Sequence, residues 1–162
     1  MKTAVVYYSL EENTSFVAEK IAKELHADLI RLIPQKAYAD KGFQKFFWGG
    51  KSVIFGERPK LMPYNYSNEA YDMVVVGFPI WASSFAPPMK TFLHDHDFSD
   101  KKVAAFACSM GGSVQKAFEN IKKETHITDL CATLSLIEPG KNPNTSNDEQ
   151  IKEFCQNISA PV

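Results

Sequence analysis

The chain has 162 residues, with 18 Lys and Arg against 19 Asp and Glu, a formal net charge of −1, and 44% hydrophobic against 23% charged residues. At this length a single domain spanning residues 1–162 with one full core is the expectation, and the composition excludes disorder, collagen-like repeats and a disulfide-stapled miniprotein. The balanced charge lacks the basic excess of a nucleic-acid binder, and no apolar run reaches the roughly 20 residues of a membrane span.

Residues 3–8 form a strand-length apolar run ended by polar residues 9–14. It lacks the apolar core and cleavage site of a signal peptide. Val17, Ile21 and Leu25 then recur every four residues between charged neighbours, the stripe of an amphipathic helix. Residues 29–33 predict a second strand, stopped by Pro34. Residues 73–78, Met-Val-Val-Val-Gly-Phe, are apolar at nearly every position, which implies burial on both faces of a parallel sheet. Pro87 and Pro88 suit the first turn of a helix carrying Met89, Phe92, Leu93 and His96 at helical spacing.

Residues 103–108 predict a fourth strand, and Val114, Ala117, Phe118 and Ile121 line the helix after it. Residues 131–137 predict a fifth strand. The last helix opens with a capping box, Ser146-x-x-Glu149, and buries Ile151, Phe154, Cys155 and Ile158. Cys108, Cys131 and Cys155 are odd in number and widely spaced, as expected of buried thiols in a reducing cytoplasm.

Strands alternating with helices predict an α/β domain with a mostly parallel sheet. Ligands in such sheets bind beyond the carboxyl ends of the strands, which directs attention to three loops. The first, Ser9-Leu10-Glu11-Glu12-Asn13-Thr14, lies between a strand and a helix. There, unpaired N–H groups, the helix dipole and three polar side chains suit a phosphate. Asn13 or Thr14 capping the helix is an equal alternative. The second carries Pro79-Ile80-Trp81-Ala82-Ser83-Ser84-Phe85 ahead of Pro87-Pro88, and its indole offers a large flat apolar surface to a ligand, or is a half-buried Trp closing the end of the sheet. The third is Cys108-Ser109-Met110-Gly111-Gly112-Ser113, whose paired glycines let backbone approach a ligand, or make a tight turn capped by Ser113.

Together these loops resemble those of the flavodoxin family, over nearly the whole chain. The resemblance implies a three-layer fold, a five-stranded parallel sheet of order 2-1-3-4-5 with helices on both faces, and non-covalent FMN as cofactor. It implies contacts from Ser9, Leu10, Glu11, Glu12, Asn13 and Thr14 to the phosphate. The ring would lie between Pro79, Ile80, Trp81, Ala82, Ser83 and Phe85 and the loop Cys108, Ser109, Met110, Gly111 and Gly112. Glu11 and Glu12 stand where the family's phosphate loop carries threonine and glycine. An ionised Glu11 cannot donate a hydrogen bond, and a left-handed backbone at Glu12 would cost roughly 1–2 kcal/mol.

The function implied is electron transfer with a redox partner protein or an NAD(P)H-linked reductase, and no acid or base residue is required. Two alternatives stay open: an FMN-dependent NAD(P)H reductase of quinone-type acceptors, and a binding module of this fold with weak or lost FMN affinity. A homodimer is left open, and neither nucleic acid nor membrane is an expected partner. His94-Asp95-His96-Asp97 lacks the i, i+4 pairing of a metal-binding helix, so no metal is expected. Residues 38–60 interleave Phe43, Phe46, Phe47, Trp48 and Phe55 with Lys41, Lys45, Lys51, Arg58 and Lys60. This segment either packs on the sheet or forms a docking surface.

Overall fold

The computed structural model describes residues 1–38, 51 and 56–160. Its sheet follows the path β2 (Asp28–Arg31), β1 (Thr3–Tyr7), β3 (Met73–Trp81), β5 (Lys102–Ser109), β6 (Thr133–Ile137), and β4 (Ser84–Phe85) pairs with β3. Neighbours along that path are parallel, whereas β4 runs antiparallel to β3. With β4 set aside, the spatial order is the expected 2-1-3-4-5.

Alternation along the central strands divides the core in two. Val6, Val76, Phe78, Ala105 and Ala107 face one side, against Met89, Phe92 and Leu93 of α2 (Pro87–Asp95) and Ala117, Phe118 and Ile121 of α3 (Gln115–Thr125). Val5, Tyr7, Val75, Ala104 and Phe106 face the other, against Val17 and Ile21 of α1 (Asn13–Leu25) and Ile151, Phe154 and Ile158 of α4 (Thr145–Ser159). Helices therefore cover both faces of the sheet, in three layers. Gly77 pairs with Phe106, and a Cβ on Gly77 would come within 2.0 Å of the Phe106 ring. The missing side chain at 77 is what lets that ring lie across β3.

Several boundaries differ from the sequence-based expectations. The second strand stops at Arg31, and Leu29 and Ile33 are exposed, because β2 lies at the edge of the sheet and buries little beyond Ile30. The fifth expected strand starts at Thr133 and alternates exposed with buried residues, as the opposite edge does. The third strand runs on to Trp81 and folds back as β4, so Pro79, Ile80 and Trp81 lie on a strand rather than in a loop.

The expected capping box at Ser146 is not the cap. Asn144 accepts a hydrogen bond from the Asn147 amide at 2.8 Å, placing Ser146 inside α4. His96 lies just past the end of α2 with an extended backbone. Cys131 is exposed, unlike buried Cys108 and Cys155, because it precedes the edge strand β6. Phe43, Phe46, Phe47, Trp48 and Phe55, with Lys41 and Lys45, lie outside the described residues. Among those described, no helix is long and apolar enough to cross a membrane, and no group of three His, Cys, Asp or Glu is placed to hold a metal ion.

Candidate functional site

Parallel strands bring the carboxyl ends of β1, β3 and β5 to one edge of the sheet, and the loops leaving them enclose a cavity of about 290 Å³. It is lined by Ser9, Leu10, Glu11, Asn13 and Thr14 from the first loop, by Pro79, Ile80, Trp81 and Ala82, and by Cys108, Ser109 and Met110. Glu12, Ser83, Phe85, Gly111 and Gly112 do not line it. Phe85 is buried in the core beside Phe78, and Ser83 is exposed on the hairpin turn. Gly111 and Gly112 have φ of 121° and 89°, conformations that favour glycine, and nothing lies within 4 Å of where a Cβ would stand.

The polar pole of the cavity is the start of α1. Ser9 Oγ accepts from the Ser15 amide at 3.2 Å, and the Phe16 amide donates the first helical bond to the Glu12 carbonyl at 2.9 Å. Ahead of these, the amides of Asn13 and Thr14 have no acceptor within the helix. Neither Asn13 nor Thr14 caps α1; the cap position is Glu12, which makes no side-chain capping bond. Asn13 Oδ1 instead accepts from the Gly140 amide at 2.9 Å, tying the β6–α4 loop to the first loop.

Both glutamates of this loop have cations nearby. Glu12 has φ 65° and ψ −3°, the left-handed conformation that costs a non-glycine residue roughly 1–2 kcal/mol. Its carboxylate faces Arg31, with Nη2 at 2.7 Å from Oε1, and this pairing holds the Glu12 carboxyl below its usual pKa. Glu11 lines the cavity, and its charge helps raise the pKa of Lys141, second to the ion pair between Lys141 and Glu138 at 2.7 Å.

The apolar pole is aromatic. Trp81 meets Tyr38 and Tyr8 edge-to-face at ring distances of 5.2 and 5.7 Å, and burial pushes the Tyr8 phenol above its ordinary pKa. Cys108 is buried, and desolvation pushes its thiol up to about 12 despite an opposing hydrogen bond from Thr14, so it is no nucleophile at neutral pH. The cavity thus combines a helix N-terminus and hydroxyl groups at one end with an apolar slot at the other.

Sequence reasoning missed Arg31, Tyr8, Tyr38, Gly140 and Lys141. A residue at the carboxyl end of β2 could have been found, since a parallel neighbour of β1 must end beside the first loop. The Gly140 contact spans 127 positions, and no local pattern announces it.

An open α/β sheet with its crevice at the carboxyl ends of the central strands defines a doubly wound protein. A flavodoxin family model matches residues 2–158, and the chain belongs to that family. Among solved structures, a flavoprotein from Lactobacillus acidophilus in complex with FMN is 20% identical, with a TM-score of 0.72 over 86% of this chain and 95% of that one. Oxidised flavodoxin 2 from Bacillus cereus is 17% identical, with a TM-score of 0.63 over 98% of both chains. An NADH:FMN oxidoreductase in its apo form is 12% identical, with a TM-score of 0.61 over 100% of this chain and 91% of that one. At these identities the likeness is one of fold. No curated protein matches the sequence.

Proposed function

We propose that the chain binds FMN non-covalently in the cavity between β1, β3 and β5 and serves as a cytoplasmic electron carrier. FMN supplies the redox chemistry by taking up and giving back electrons, while the protein sets its orientation and exposure. Membership of the flavodoxin family and the FMN complex of the L. acidophilus neighbour support the cofactor. The single observation that carries the reading is the cavity's two-ended chemistry.

Ser9, Thr14 and the amides of Asn13 and Thr14 suit a phosphate, while Ile80, Trp81 and Met110 suit a flat aromatic ring. Glu11 is the feature that opposes a phosphate, with Lys141 as its nearby counter-charge. The partner on this reading is a redox protein or an NAD(P)H-linked reductase. The test is the visible absorbance of purified protein after mixing with FMN and desalting. A retained, protein-shifted flavin spectrum is the expected result, and a colourless protein would overturn the reading.

A second reading, an FMN-dependent reductase that takes electrons directly from NAD(P)H, is favoured by one observation. A second concavity of about 410 Å³ carries Lys90, Lys116 and Lys123 against Glu57 and Glu124, a net excess of one cation, and shares Ala82 with the first. Cations beside the flavin cavity suit the phosphates of a nicotinamide nucleotide. Bleaching of the bound flavin by NAD(P)H, with no added reductase, would establish this reading over the carrier.

A further inference from the structure

We propose that Arg31 is a positioning residue for the first loop, locking Glu12 into the left-handed conformation that the loop requires where the family carries glycine. This deepens the FMN reading and rests on it for the ligand.

The register places the device. Arg31 pairs with Tyr7, so the last residue of β2 stands beside the residue that leads into the loop. From there the guanidinium reaches both ends of the turn. Nη2 donates to the Ser9 carbonyl at 3.2 Å and to Glu12 Oε1 at 2.7 Å, and Nη1 donates to Glu12 Oε2 at 3.5 Å. The guanidinium also lies 5.9 Å from the centre of the Tyr7 ring, and Tyr7 Oη is 3.1 Å from Ser15 Oγ.

Ser15 returns its amide to Ser9 Oγ, so the cross-links close on themselves through Ser9, Arg31, Tyr7 and Ser15, with Glu12 held on Arg31. A planar fork can hold a carbonyl and a carboxylate at once, which an ammonium on a flexible stem does poorly. The side chains are 38% exposed for Arg31 and 65% for Glu12. A pair so open to water adds little to global stability. What it fixes is the direction of the Glu12 carboxylate, away from the cavity, and the alignment of the amides at 13 and 14.

A double-mutant cycle tests this, with FMN dissociation constants from quenching of flavin fluorescence. Arg31→Ala is expected to weaken FMN by about tenfold, the scale of one charge-assisted hydrogen bond. In a Glu12→Gly background, where left-handed backbone costs nothing, the same change is expected to cost less than about threefold. Arg31→Lys should fall between wild type and Arg31→Ala. Equal losses in both backgrounds, or no loss in either, would overturn the proposal.

Hydrogen exchange in the flavin-free proteins separates this from the FMN reading. Arg31→Ala should speed exchange at the amides of Ser15 and Phe16, which are bonded to Ser9 Oγ and to the Glu12 carbonyl, and leave β3 and β5 unchanged. That pattern without FMN binding by any variant would uphold the clasp and sink the cofactor reading. FMN binding with unchanged loop exchange would do the reverse.

Discussion

Glu11 places a carboxylate against the cavity where a phosphate is proposed to sit, with Lys141 near enough for each charge to feel the other. Two unit charges some 6–8 Å apart near a protein surface interact by roughly 2–3 kcal/mol before salt screening. Glu11→Thr removes the repulsion and adds a donor, so FMN should bind about three- to tenfold more tightly, the gain shrinking as salt rises. Unchanged affinity at low salt would mean that the Glu11 charge is already offset. Trp81 makes the opposite case: Trp81→Ala should weaken FMN and riboflavin alike, since the indole meets the apolar slot and not the phosphate end. A loss confined to FMN would contradict that division of the cavity.

Elements carry strain and titration of their own. The β3–β4 hairpin turns through Ala82 and Ser83, both with positive φ (45° and 62°), between the paired residues Trp81 and Ser84. Two-residue hairpins prefer Asn or Gly there. Ser83→Gly, outside the cavity lining, should therefore stabilise the protein by about 0.5–1 kcal/mol and raise Tm by about 2–4 °C. A lower Tm in thermal melts would show that Ser83 is not strained. At the end of α2, burial among Tyr64, Tyr66 and Phe92 lowers the His96 pKa, Asp95 offsets part of that, and Tyr64 Oη lies 2.9 Å from Nε2.

The lowered value sets the sign. Above about pH 6.5 the ring is neutral in both states, and its full contribution is present. As pH falls through that value the unfolded chain takes up the proton first, so stability declines until the folded ring is also protonated. His96→Gln should flatten this part of the stability profile in denaturant titrations; an unchanged slope would remove His96 as its source.

A net charge of −1 repels a reduced, anionic flavin less than a strongly acidic protein does. The midpoint potential for full flavin reduction should be less negative than that of strongly acidic flavodoxins in the same buffer, the gap closing with salt. An equally negative potential would contradict this.

The parallel sheet and the helix faces are legible because Val74–Val76 form a continuous apolar run and Val17 and Ile21, or Ile151 and Phe154, repeat with the helical period, whereas the strand order comes only from the resemblance to the flavodoxin family. Boundaries governed by pairing are not: Pro79–Trp81 read as loop, since only the return strand β4 makes them strand. Ser146 fitted a capping motif, yet Asn144 two positions earlier met the Asn147 amide first. The twelve cavity-lining residues all belong to the three segments at the sheet's carboxyl ends, whereas Arg31 follows only from the pairing that sets β2 beside β1, and the Gly140 contact with Asn13 is encoded by no local spacing.

On the FMN reading, this cavity takes a flavin by its ring and its phosphate together. Parallel fluorescence titrations of the flavin-free protein with FMN and with riboflavin test it most directly. FMN is expected to bind at least about tenfold more tightly than riboflavin, the phosphate contributing through the start of α1. Equal affinities, or no binding of either, would contradict it.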